Sequence, residues 1–187
     1  MIVEPLRIDR HGLCGVRQLP SPNHDERPDP EDITLIVLHC ISLPPGQFGG
    51  DAIDRLFLNQ LDPHADPSFA ALQNLRVSAH LLIRRDGTIT QYVPFDRRAW
   101  HAGVSCFLGR ERCNDFSIGI ELEGTPETPY TSKQYHELAR VLRVLFANYP
   151  RLSPERMVGH SDIAPGRKID PGASFDWAGL HRLLEES

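Results

Sequence analysis

Short apolar runs alternate along this chain with segments rich in proline, glycine and charge, and the period inside each run predicts its element. Residues 33–40 (ITLIVLHC) are continuously apolar or β-branched up to His39, the pattern of a strand covered on both faces. The following ISLPPGQFGG is punctuated by prolines and glycines and reads as a loop leaving the carboxyl end of that strand. From Asp51, the stretch DAIDRLFLNQL sets Ile53, Leu56, Phe57 and Leu61 near helical spacing after an acidic first turn, which predicts a short helix. Next, VSAHLLIRRDGTITQYVP holds two strand-like runs joined at Asp86–Gly87, a dipeptide that accepts the positive φ of a tight hairpin turn. FSIGIELEG (116–124) alternates strictly. Ile118, Ile120 and Leu122 share one face and Gly119, Glu121 and Glu123 the other, so a strand with one core face and one polar face is expected.

Thr131 opens a helix with Gln134 as its capping-box partner and a stripe of Tyr135, Leu138, Leu142, Leu145 and Phe146, and Pro150 lies just beyond its end. A run around RMVGH (156–160) predicts one more strand, and Asp176 caps a last helix whose apolar positions are Trp177, Leu180, Leu183 and Leu184. Residues 1–30 carry turn formers and charges without a period and are expected to form an irregular lead-in. With no repeat and no linker, this alternation predicts a single α/β domain: a central mixed β-sheet, part parallel and part hairpin, flanked by α-helices.

Composition narrows the function classes. The chain has 187 residues, 40% of them hydrophobic and 24% charged, which is ordinary for a chain that folds around a core. Its 25 acidic residues outnumber 20 lysines and arginines, and a net charge of −5 offers no bulk attraction for nucleic acid or an anionic bilayer. No uncharged apolar run approaches the roughly 20 residues needed to span a membrane. The opening MIVEPLRIDRHGLC carries charges where a secretory signal needs an apolar core of about 7–15 residues, so a cytoplasmic protein is expected. Cys14, Cys40, Cys106 and Cys113 show neither CxxC pairing nor framework spacing and are expected to be free thiols.

Nine histidines are more than a chain of this length requires. His11, His24 and His64 lie in polar, loop-like stretches and His136 and His181 on helices, with nothing nearby to suggest a shared task. His39, at the end of an apolar strand, must find a partner or line a cleft at the strand's carboxyl edge. His160 also ends an apolar run, and the turn-rich SDIAPGRKIDPG that follows delivers Lys168 and Asp170, which locally extended backbone would send to the same face. Two imidazoles and one carboxylate suit a three-ligand Zn²⁺ site with a position left open, but His39 and His160 are far apart in sequence and no HExxH or CxxC fixes local geometry. Nor does pattern alone choose between Glu121 and Glu123, which share one face of a strand.

Four segments, HCISLPPGQFGG, RVSAHLLIRRDGTITQYVPFDRRAWHAGVS, GRERCNDFSIGIELEG and HSDIAPGRKIDPG, closely resemble the AmpD-type N-acetylmuramoyl-L-alanine amidases, in that family's order, from about residue 20 to 177. The resemblance extends to zinc amidases related to peptidoglycan recognition proteins, and it implies a central mixed sheet with helices packed against it. It implies that His39, His160 and Asp170 are zinc ligands, that Glu121 is the general base, and that Lys168 faces the scissile carbonyl. Arg76 and Arg112 fall where the family holds the carboxylates of the peptide. His80 and His101 lie in matched segments but are not ligands in the family pattern. His80 is expected to hydrogen-bond in the interior, and Trp100–His101 to border a sugar-binding cleft. Cys40 departs from the Asn expected after the first ligand, and an extended strand would turn it away from His39.

The resemblance therefore implies a monomeric cytoplasmic enzyme that hydrolyses the bond between (1,6-anhydro-)N-acetylmuramic acid and L-alanine in recycled muropeptides, indirectly limiting β-lactamase induction. Its expected partner is the anhydromuropeptide substrate, with neither nucleic acid nor membrane. Two rivals stand beside it: an amidase acting on polymeric peptidoglycan, and a binding module on the same fold that has lost catalysis.

Overall fold

A computed structural model describes residues 6–186; the first five residues of the expected lead-in lie outside the described residues. Its centre is a six-stranded sheet built from β1 (Arg17–Gln18), β2 (Leu35–Ile41), β3 (Leu81–Ile83), β4 (Ile89–Gln91), β5 (Ser117–Glu123) and β6 (Met157–Gly159), in the spatial order β6-β2-β5-β3-β4-β1. Strands β6, β2, β5 and β3 run parallel to one another, β3 and β4 form the antiparallel hairpin, and β1 adds parallel to β4. The sheet is mixed, as the pattern predicts. Its helices are α1 (Ala52–Phe57), α2 (Ser132–Asn148), α3 (His160–Ile163) and α4 (Trp177–Glu185).

The unbroken apolar run of β2 has a direct cause. Ile36 and Leu38 join a core with Leu138, Leu142 and Leu145 of α2 and Leu180 of α4, while Leu35 and Val37 join a second with Ala102, Phe116 and Ile163. Both faces are covered, so alternation would leave polar groups buried. The start of α2 is fixed by its capping box: Gln134 N–H donates to Thr131 Oγ1 at 3.2 Å and Thr131 N–H donates to Gln134 Oε1 at 3.1 Å. The Gln134 amide also donates to the carbonyls of Ile83 and Glu123, at 3.2 and 3.0 Å, tying that helix end to β3 and β5.

Two expectations need correction. The lead-in is not irregular: Arg7–Asp9 pairs with Gly12–Cys14, β1 extends the central sheet, and His24–Glu26 pairs with Arg97–Ala99. Strands of two or three residues are too short to display a period, and backbone pairing holds them, in a local hairpin for the first two and with distant partners for β1 and His24–Glu26. The polar face expected on β5 is present, and it is buried: Ser117 and Glu123 are 0% and 3% exposed. Loops pack over it. Finally, α1 stops at Phe57, before Leu61 of the expected stripe.

Candidate active site

Parallel pairing at the carboxyl ends of three neighbouring strands assembles the site. In the β2–β5 register Glu121 sits beside His39, and in the β2–β6 register Gly159 sits beside Leu38, so His160, the next residue, emerges next to His39 as the first residue of α3. Paired strands lie about 4.8 Å apart, which sets the spacing of these side chains. Asp170 returns from the loop beyond α3. Its carbonyl accepts from Ser161 N–H at 3.0 Å, and the carbonyl of Pro171 accepts from the Tyr130 hydroxyl at 2.8 Å. Gly159 permits this close return, because a Cβ there would stand 2.8 Å from Pro171 Cδ.

Three donor atoms converge as a result. His39 Nδ1 lies 2.9 Å from His160 Nδ1 and 3.1 Å from Asp170 Oδ2, and His160 Nδ1 lies 3.2 Å from that same oxygen. A tetrahedral ion with bonds of 2.0–2.2 Å spaces its ligand atoms by about 3.3–3.5 Å, so a slight expansion of this triangle accommodates a divalent ion. Burial pushes the His39 imidazole down to about 4, against the opposing pull of Asp170. Burial alone would raise the Asp170 carboxyl, but the neighbouring His160 and His39 imidazoles hold it well below the usual carboxylate range. A neutral imidazole and an ionised carboxylate are the forms that ligate a cation.

Glu121 differs from Glu123 in what its oxygens meet. Burial raises its carboxyl well above the ordinary value, the charge of Asp170 adds to this, and Lys168 opposes it. Its Oε2 is buried and has no hydrogen-bond partner among the described residues. Glu123 is fully engaged: Oε1 accepts from Gly49 N–H at 2.7 Å and Arg84 Nη1 at 3.0 Å, and Oε2 accepts from Arg85 N–H at 3.2 Å. It anchors the loop after β2. The alternatives that the strand pattern left open thus differ in environment: one carboxyl group is tied into the fold, the other carries a buried oxygen without a partner among the described residues.

His39, Glu121, His160 and Asp170 line a cleft of about 470 Å³ that Lys168, Arg76 and Trp100 also border. Lys168 and Asp170 both line this cleft, and Lys168 and Ile169 are exposed. Arg76 is exposed and donates to the carbonyl of Leu75 at 3.2 Å. Arg112, also exposed, borders a neighbouring depression rather than the cleft and lies 3.3 Å from Asp115. His80 is an interior residue, as expected: Nδ1 accepts from Gly119 N–H at 3.0 Å, and Nε2 lies 3.0 Å from the Arg97 carbonyl. Cys40 is half-buried, and burial pushes its thiol up to about 12, so no thiolate competes with the cluster. All four cysteines are free. His101 lines the cleft, as expected, and also packs edge-on against His39 with ring centroids 5.0 Å apart. Neither spacing nor period marks it for that contact.

The family model for N-acetylmuramoyl-L-alanine amidases matches residues 29–173. The chain is 59% identical over 179 residues to the 1,6-anhydro-N-acetylmuramyl-L-alanine amidase AmpD of Escherichia coli K12, covering 96% of this chain and 97% of that protein. It superposes with a TM-score of 0.92 on the crystal structure of a selenomethionine AmpD derivative, at 59% identity and over 95% of this chain and 98% of that one. A complex of the E. coli amidase AmiD with the substrate anhydro-N-acetylmuramic acid-L-Ala-D-gamma-Glu-L-Lys matches with a TM-score of 0.60 at 28% identity, over 96% of this chain and 65% of that one. Among the described residues no helix is long and apolar enough to cross a membrane.

Proposed function

This chain belongs to the N-acetylmuramoyl-L-alanine amidase family, and from that premise we propose that it is a zinc-dependent 1,6-anhydro-N-acetylmuramoyl-L-alanine amidase acting in peptidoglycan recycling. The observation that carries this reading is the convergence of two imidazole nitrogens and a carboxylate oxygen beside a buried, unpartnered carboxyl group. His39, His160 and Asp170 hold the ion. Zinc bound there would polarise the amide carbonyl and bring the pKa of the attacking water down to about 7.

The remaining steps belong to side chains. Glu121 takes a proton from the attacking water and delivers it to the departing alanine nitrogen, which leaves as an amine because its anion is too poor a leaving group. A carboxyl group whose proton affinity is raised by burial suits both halves of that transfer. Lys168, on the cleft rim, offsets negative charge developing on the carbonyl oxygen. Arg76 and Arg112 bind the peptide carboxylates by bidentate geometry, and Trp100 offers a ring to the sugar. By the same family role, the setting is cytoplasmic and the reaction restrains β-lactamase induction indirectly.

Hydrolysis of a defined anhydromuramoyl-L-Ala-γ-D-Glu peptide, with parallel metal analysis, tests the reading. Chelation is expected to abolish turnover and Zn²⁺ to restore it, and full activity in metal-free protein overturns the mechanism. Faster turnover on intact sacculi than on the soluble fragment would redirect the assignment to a wall-lytic amidase.

A further inference from the structure

Each ligand imidazole has a second nitrogen, outside the triangle of donor atoms, that the mechanism leaves unused. His160 Nε2 lies 2.9 Å from the carbonyl of Ala102. A carbonyl only accepts, so His160 carries its proton on Nε2 and turns the lone pair of Nδ1 toward Asp170. His39 Nε2 lies 2.9 Å from Nδ1 of the adjacent residue, His101. We propose that His101 is a positioning residue: its Nδ1 accepts the His39 Nε2–H and so holds His39 in the tautomer and ring rotation that offer Nδ1 to the ion. This rests on the zinc reading above and extends it to a residue outside the ligand set.

The surroundings of His101 fit that task. Its own Nε2 stands 3.1 Å from Ser117 Oγ, a hydroxyl able to accept the His101 proton and leave Nδ1 free as an acceptor. Asn114 Oδ1 accepts from the backbone N–H of both His101 and Ala102, at 3.2 and 2.8 Å, so one side chain pins the two-residue stretch that serves both imidazoles. Beneath the ring lies Gly119, where a Cβ would approach His101 Cγ to 2.4 Å, and any side chain at 119 would evict the imidazole. The small residues on the polar face of β5, Ser117 and Gly119, therefore make room for a support that acts through His39. Such partners orient ligating histidines in metal sites and raise their basicity.

The test is Zn²⁺ affinity of the full chain, stripped of metal and titrated against a competing chromophoric chelator, together with the visible spectrum of the Co²⁺-substituted protein. His101→Ala is expected to weaken Zn²⁺ binding about 10- to 100-fold and to alter the Co²⁺ bands. His101→Asn, whose Oδ1 sits near the position of Nδ1 and accepts a hydrogen bond, is expected to recover most of both. Wild-type affinity in folded His101→Ala overturns the proposal, as does an equal loss in the Ala and Asn variants, which would make the ring a packing element only. Should His101→Ala fail to fold, Ser117→Ala decides: a several-fold loss supports the proposal and unchanged affinity overturns it. A wild-type chain that binds no Zn²⁺ would instead sink the underlying zinc reading, so the two failures are distinguishable.

Discussion

On the sheet face covered by α2 and α4, β5 contributes Ile118, Ile120 and Leu122, and β2 contributes Ile36 and Leu38. On the opposite face the same two strands contribute Ser117, Gly119, Glu121, Glu123 and His39, set under loops and α1. Both faces are buried, yet they are specified differently. The helix face is non-directional: its residues need only be apolar and of suitable volume, and many neighbours share each contact. The site face is directional, because each buried polar atom requires a named partner or a ligand, and losing one is felt at a single point.

That contrast can be broken most sharply at the site. Asp170→Ala is expected to reduce turnover to background and to release the metal, as read by peptide hydrolysis and metal analysis, while the fold persists by circular dichroism. Glu121→Ala is expected to lower kcat by about 10²–10⁴ with metal still bound. Glu123→Ala should do the converse, lowering stability by about 3 kcal/mol by leaving the Gly49 and Arg85 N–H groups unpaired, with Arg84 keeping Asp54, while kcat of the folded enzyme changes far less. If Glu123→Ala loses turnover and Glu121→Ala does not, the two carboxyl groups have been given each other's roles.

On the helix face, Leu142→Ala is expected to cost about 2–5 kcal/mol in denaturant unfolding without altering kcat of the native enzyme. A pH series sharpens the difference between the faces. Burial holds His39 near 4 and His80 near 3 in the folded chain, below the ordinary 6.5. Between those values and 6.5 the unfolded chain binds more protons, so the stability of metal-free protein is full above about pH 6.5 and falls as pH drops toward 3. His80→Gln should flatten that slope, whereas Leu142→Ala should shift the whole curve without changing its shape. The smallest effect is expected at the helix start, where Thr131→Ala removes the capping box at a cost of about 1 kcal/mol.

The period of apolar residues was enough to read β2, the β3–β4 hairpin, β5, α2 and α4, because each buries a stripe that repeats along it. The short strands at residues 7–26 were not legible, since two or three residues carry no period and two of them, Arg17–Gln18 and His24–Glu26, pair with distant backbone edges. The identities of His39, His160, Asp170, Glu121 and Lys168 could be singled out from the family-like segments. Strand pattern alone did not separate Glu121 from Glu123, because both point from the same side of one strand; the resemblance chose Glu121, and the physical difference lies in the arrival of Gly49, Arg84 and Arg85 at Glu123. His101 was also hidden: its meaning lies in a 2.9 Å contact with a residue 62 positions away.

What the sequence by itself determined is therefore the set of elements, the buried stripes and the chemical types available at strand ends, all of which depend on local spacing and on the cost of exposing apolar surface. Tertiary structure alone decided which polar groups meet. Parallel register sets Glu121 beside His39, the Gly159–Pro171 contact returns Asp170 to His160, and the space above Gly119 admits His101. Hydrogen bonds and ligand geometry act over about 3 Å, so their partners exist only once the chain has closed on itself.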